Sequence, residues 1–222
     1  MNTHSQVKRI LCYGDSITWG KIPGDDNDAR FSRDIRWTGV LQNLLGAEYE
    51  IIEEGLNGRT TDRESPHGPG KNGAEYLGPC LKSHSPVDMV VLFLGKNDLK
   101  AKYNATPESI AGGVEKCIYV IEKEGKTKAS QVPSMILVSP PIIEEQERLR
   151  FGKKEVDFLG AHEKSKKLGG LYKAVAEQHD AEFLDLSTRI TVSDIDGVHA
   201  DENAHRIIAE SIQQIITKLL QG

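Results

Sequence analysis

Met89-Val-Val-Leu-Phe-Leu94 is the stretch that decides the fold: an unbroken apolar run followed at once by Gly95-Lys96-Asn97-Asp98. A strand with one wet face alternates apolar and polar residues, and this one does not. Both its faces are therefore expected to be covered, as in a central parallel strand. It is far too short for a membrane span, which needs about 20 apolar residues. Working outward, shorter runs of the same kind occur at Arg9–Tyr13, Tyr49–Ile52, Met135–Val138 and Glu182–Leu186. Between them lie helical patterns. Arg36–Leu45 places Trp37, Val40, Leu41, Leu44 and Leu45 on one face. Further helices are expected over Ala74–Leu81, from Thr106-Pro107-Glu108 with Thr106 as N-cap, over Val156–Gln178 with a break at Gly169-Gly170, and over Glu202–Leu220. Alternating strands and helices predict an α/β protein, a flavodoxin-like three-layer sandwich around a five-stranded parallel sheet of order 2-1-3-4-5.

The chain of 222 residues suits one domain spanning 1–222. With 38% apolar and 27% charged residues it has the composition of a globular protein with a full core. The net charge of −5, with Lys and Arg scattered, offers no basic stripe for nucleic acid. No signal peptide or membrane segment is expected, and the default location is the cytoplasm. Cys12, Cys80 and Cys117 read as buried reduced thiols. Residues 21–33 and 62–71 are long and polar enough to be contact surfaces, and 144–155 is a third such stretch, dense in charge.

In an open α/β sheet, ligands collect beyond the carboxyl ends of the strands. Those ends carry Gly14-Asp15-Ser16, Gly55-Leu56-Asn57-Gly58, Gly95-Lys96-Asn97-Asp98 and, before the last helix, Asp196-Gly197-Val198-His199. Together they supply what acyl transfer needs. Ser16 is the nucleophile, His199 the base near neutral pH, and Asp196 the carboxylate that fixes the imidazole tautomer. The Ser16 and Gly58 backbone N–H groups and the Asn97 amide are candidate oxyanion donors, and Asn57 could serve in place of Gly58. Asp15 and Asp98 are assigned to loop hydrogen bonds. Trp19 reads as a core residue. The other histidines, His4, His67, His84, His162, His179 and His205, lack a carboxylate at the spacing of a catalytic pair. The competing metal reading of Asp194, Asp196, His199, Asp201 and His205 has no H-E-x-x-H or C-x-x-C pattern behind it. No metal and no cofactor is called for. There is no G-x-S-x-G elbow and no P-loop.

Taken in order, Gly14-Asp15-Ser16, Gly58, Gly95-x-Asn97-Asp98 and Asp196-x-x-His199 resemble the four blocks of the SGNH (GDSL-type) hydrolases. The longer runs Arg9–Gly20, Arg36–Val40, Ile52–Leu56, Arg59–Thr61, Asn72–Ala74 and Val138–Pro141 resemble the bacterial arylesterase/acyltransferase (perhydrolase-like) branch. The resemblance implies the SGNH hydrolase fold and a Ser16–His199–Asp196 triad, with an oxyanion hole of Ser16, Gly58 and Asn97. The expected activity is hydrolysis of short acyl or aryl esters. Acyl transfer to alcohol or peroxide, and carbohydrate de-acetylation, are the alternatives. The resemblance also implies homo-oligomers packed through 21–33 and 62–71, with a small-molecule ester as the only other partner. A non-enzymatic flavodoxin-like module, binding a flavin or phosphorylated at Asp15 or Asp98, is the reading outside enzymes. Lys96 departs from the branch, where a small or hydroxyl residue is expected. It is read as pointing to solvent without effect; pointing inward, it would favour negatively charged acyl groups.

Overall fold

A computed structural model describes residues 7–25, 27, 29–65, 68–145 and 156–221. Five strands form one parallel sheet in the order β2-β1-β3-β4-β5. They are β1 (Lys8–Gly14), β2 (Tyr49–Gly55), β3 (Met89–Phe93), β4 (Ser134–Ser139) and β5 (Glu182–Asp185). The helices are α1 (Ser16–Trp19), α2 (Trp37–Leu45), α3 (Gly73–His84), α4 (Pro107–Glu124), α5 (Ala161–Gln178) and α6 (Glu202–Gln221). The expected α/β class, strand order and covered sheet are all present.

The strand period of two divides the core. Leu11, Tyr13, Val90 and Leu92 project to the layer of α3, α4 and α5. Ile10, Cys12, Met89, Val91 and Phe93 project to the layer of α2 and α6, where Trp37, Leu41, Ile208 and Ile212 meet them. Every residue of β3 is buried, so the run that opened the reading is packed on both faces. Each such side chain contributes about 1.5–3 kcal/mol of burial. The three cysteines are buried and unpaired with one another.

Local chemistry sets the ends. Thr106 caps α4 by accepting from the Ser109 amide, and Ser109 returns the bond to the Thr106 amide. The expected break at Gly169-Gly170 does not occur, because α5 runs through it. A Cβ at Gly169 would lie 2.7 Å from an Asp185 carboxylate oxygen. The glycine therefore admits a close approach of α5 to the end of β5, which outweighs its helix cost of about 1 kcal/mol. Residues 156–158 form a separate 3-10 turn, so the helix begins later than expected. Trp19 is half-buried under the Arg30 guanidinium, 5.3 Å from the ring centre, and is not a core residue. Of the stretch 144–155, only 144–145 belong to the described residues, and His4 and His67 fall outside them. Among the described residues no helix is long and apolar enough to cross a membrane.

Candidate active site

The parallel register aligns Gly14 of β1 with Gly55 of β2 on one side and Phe93 of β3 on the other. Three of the sequence blocks therefore leave the sheet at the same level. Asp15 turns the chain into α1 by accepting the Ile17 amide at 2.9 Å, which sets Ser16 at the first helical position. From β3, Gly95 adopts φ +111, a left-handed conformation, and a Cβ there would sit 1.9 Å from the Tyr172 hydroxyl. That turn sends the next side chains, Lys96 and Asn97, back over β1. Gly58 also has positive φ, +78, whereas a Cβ there would make ordinary contact with the Lys71 side chain, Nζ at 3.5 Å and Cδ at 3.8 Å. Backbone conformation rather than lack of space requires that glycine.

The fourth block closes over the other three. His199 Nε2 lies 3.1 Å from Ser16 Oγ, and its Nδ1 lies 2.8 Å from Asp196 Oδ2. The Val198 and His199 amides donate to Asp196 Oδ1, both at 2.9 Å, and the Gly24 amide donates to Oδ2 at 2.9 Å. Burial pushes the Asp196 carboxyl up, but the hydrogen bond and charge of His199 and the two amides overcome it, leaving the group well below the usual carboxylate range. Burial pushes His199 down to about 4, aided by the Lys96 charge and opposed by Asp196 and Asp15. At neutral pH the ring is therefore neutral, with a lone pair free to take a proton.

Lys96 corrects the expectation. It is 1% exposed, not solvent-facing, and its Nζ donates to Ser16 Oγ at 2.8 Å with Asp15 Oδ2 3.9 Å away. A buried ammonium is tolerated only with such partners. Asn97 stands nearby, with Nδ2 donating to the Arg59 carbonyl at 3.0 Å and to Asp15 Oδ2 at 3.2 Å. To reach an oxyanion it must share one of these hydrogens.

Two further residues hold the blocks together. Arg59, 2% exposed, donates to the carbonyls of Gly14, Glu54 and Gly70 while stacking 4.2 Å over the Tyr13 ring. Asp98 accepts the Thr61 amide at 3.0 Å and the Thr61 hydroxyl at 2.7 Å, with Arg63 Nε at 3.3 Å. Burial raises it to about 7 against those bonds. Its loop-bonding assignment agrees with this geometry. Arg59 was marked in the sequence only as part of a longer run. What singles it out is a buried guanidinium where three carbonyls end.

The remaining histidines differ from His199 on the far side of the ring. His84, His162 and His179 have carboxylate neighbours that are distant in sequence, Glu54 at 2.8 Å, Glu145 at 3.5 Å and Glu122 at 2.8 Å. None of these has a serine hydroxyl on its other nitrogen among the described contacts. Asp201 caps the start of α6 through the Ala204 amide. The acidic and histidine groups whose ligand atoms gather within 4.8 Å, Glu54–Cys80–His84 and Glu145–His162–Glu163, do not include the metal set weighed in the sequence. A G-x-G-x-x-G run does occur at 68–73 and leads into α3. It leaves a loop rather than a strand, and the amides of Gly73, Ala74 and Glu75 already serve the Thr60 and Thr61 carbonyls and the Asn72 side chain. The three amides at the start of α3 are thus engaged within the chain.

Ser16 and His199 open onto a cleft of about 290 Å³, lined also by Lys21, Asn57, Gly58, Ser65, Lys71, Asn97, Lys100, Lys102, Tyr103 and Phe158. Its size is at the lower end of small-molecule sites, about 300–1,000 Å³.

The sequence profile of the GDSL-like lipase/acylhydrolase family matches residues 12–207. In structure the chain is similar to the native aryl esterase of M. smegmatis, with 36% identity, a TM-score of 0.86, and coverage of 96% of this chain and 99% of that one. It is similar as well to Est24, a carbohydrate acetylesterase from Sinorhizobium meliloti, at 35% identity and TM-score 0.85 with the same coverage of 96% and 99%. No curated protein matches the sequence at a significant level.

Proposed function

The chain belongs to the GDSL-like lipase/acylhydrolase family and is an ester-hydrolysing enzyme, and from that premise we propose that it cleaves small acyl or aryl esters through an acyl-enzyme on Ser16. The observation that carries this reading is the chain Asp196–His199–Ser16, with 2.8 Å and 3.1 Å between successive polar atoms. Ser16 Oγ attacks the ester carbonyl carbon as its proton passes to His199 Nε2. The carbonyl oxygen becomes an oxyanion, for which the Ser16 and Gly58 amides and the Asn97 side chain are the proposed donors. The imidazolium, steadied by Asp196, then protonates the departing alcohol. Water enters by the same route in reverse, releasing the acid and restoring the hydroxyl.

Lys96 fits this scheme as part of the machinery. A serine hydroxyl has one hydrogen and two lone pairs. An ammonium donating to one lone pair at 2.8 Å leaves the hydrogen directed at His199, and its charge favours the alkoxide character that develops on Oγ.

The aryl esterase and the carbohydrate acetylesterase are equally similar to this chain, so likeness alone leaves the leaving group open. Acyl transfer to an alcohol or peroxide would share every step up to the acyl-enzyme. The polar lining of the cleft favours water as the acceptor. The acid-to-ester product ratio with added alcohol separates the two. Self-association through 21–33 and 62–71 belongs to the same proposal. Lys21, Ser65 and Lys71 of those loops line the cleft, so sedimentation on dilution should track any change in turnover.

The direct test is Ser16→Ala with a short-chain aryl ester. Turnover should fall by about 10⁴-fold or more with the fold intact, and a fluorophosphonate should label the parent at Ser16 alone. A variant within about tenfold of the parent would end the reading.

A further inference from the structure

We propose that Glu54, Cys80 and His84 form a binding site for a borderline-soft divalent cation, zinc by preference, apart from the ester cleft. One oxygen, one sulfur and one nitrogen atom of these residues lie within 4.8 Å of one another. Two periodicities bring them together. Along β2, successive side chains alternate between faces. Glu53 goes to the α2 side, where Arg36 and Thr38 bond to it, and Glu54 goes to the α3 side. Along α3, Cys80 and His84 are four positions apart and therefore share one face. His84 Nε2 already stands 2.8 Å from Glu54 Oε1. Arg59 turns its donors to main-chain carbonyls, that of Glu54 among them, and leaves the Glu54 carboxylate to His84.

The ligand set narrows the ion. Thiolate and imidazole select zinc and its neighbours over magnesium and calcium, which take oxygen ligands. Three protein ligands leave the fourth tetrahedral position to a water. Cys80 is 2% exposed, whereas the Glu54 and His84 side chains are 20% and 29% exposed. The sulfur thus lies deepest, and the other two ligands stand toward solvent. As the metal–sulfur bond forms, the thiol proton goes to solvent. On His84 the metal takes the place of the hydrogen on Nε2, and the neutral ring keeps its hydrogen on Nδ1. Thiolate and carboxylate together balance the dication. The competing reading is a Glu54–His84 pair that pins α3 to β2 beside a core cysteine, and it predicts no metal affinity. None of the three residues is among the described residues lining the ester cleft, so binding can be measured without turnover.

The test is a titration of the untagged, reduced and metal-stripped protein with Co²⁺. One equivalent should produce a thiolate-to-cobalt charge-transfer absorption in the near ultraviolet, with the visible bands of a four-coordinate ion. Zn²⁺ should bleach both. Cys80→Ser should lose the charge-transfer absorption. Glu54→Gln and His84→Gln keep the thiol and stand toward solvent, so they carry the test if Cys80→Ser does not fold. Each should weaken zinc binding by about tenfold or more in competition with a chromophoric chelator. A parent without the absorption overturns the proposal, as does a Cys80→Ser protein that keeps it through Cys12 or Cys117. Zinc affinity unchanged in either Gln variant does the same. The readout is the metal's own spectrum, so failure here leaves the esterase reading standing.

Discussion

His199 and His205 lie six positions apart, are both buried, and are both pushed down by burial, to about 4 and about 3. Their surroundings otherwise differ. His199 has a carboxylate on one ring nitrogen and a hydroxyl on the other. His205 accepts the backbone N–H of Trp37 at 3.2 Å and packs edge-on against Phe31, and its Nε2 has no hydrogen-bond partner among the described residues. That accepted N–H is one of the amides a helix start leaves unpaired, so His205 fastens α2 to α6. Burial and a low proton affinity are common to both rings and identify neither. The proposed base is set apart by what stands at both nitrogens.

The largest break in this comparison should come from removing the imidazole at each position. His199→Ala is expected to lower kcat/KM by about 10⁴-fold. His205→Leu, measured per folded molecule, should stay within about threefold of the parent, since it touches no reacting atom. Comparable losses in both would dissolve the distinction.

A smaller effect sharpens the role of charge. Because only the neutral His199 accepts a proton, kcat/KM should fall on the acid side with a midpoint near pH 4. Lys96→Met removes a charge that lowers the ring's affinity, so the acid limb should move up by about one to two pH units. Turnover on the plateau should drop by about tenfold to a hundredfold as Ser16 loses its donor. A variant whose limb stays put, at whatever rate, would confine Lys96 to packing.

The smallest effect is on stability. His205 binds a proton near 6.5 when unfolded and near 3 when folded. Its neutral form therefore supports the fold fully above about pH 6.5, and that support is lost as pH falls toward 3. His205→Leu should flatten this part of the stability profile while costing about 1–3 kcal/mol at neutral pH, because the Trp37 amide is left without an acceptor. Urea melts at several pH values give both numbers. His199 titrates in the same direction, so some slope should persist.

Much of the sheet was readable because its strands repeat one signal, short apolar runs punctuated by glycine or proline, with helices between. The candidate site was legible where chemistry restricts residue type: a hydroxyl at one strand end, and a carboxylate and an imidazole three positions apart before the last helix. Lys96 was not, since lysine is normally solvated and nothing in a run of four loop residues reports the direction of a side chain. The turn at Gly95 decides that direction, and it depends on Tyr172, 77 positions away in sequence. Gly169-Gly170 misled for a related reason. Propensity favours a break, and contact with Asp185 overrides it. Arg59 escaped because a buried arginine is recognised by the carbonyls around it, which come from three parts of the chain.

The bond from the Gly24 amide to Asp196 Oδ2 gives a surface excursion a grip on the proposed orienting carboxylate. A side chain at Gly24 would be forced against Ile195, 2.5 Å away, in a backbone conformation that suits glycine. A substitution at Gly24 would unfasten one of the groups that hold Asp196 without replacing any of the described residues that line the cleft. Reactivity could thus be retuned from outside the binding cavity.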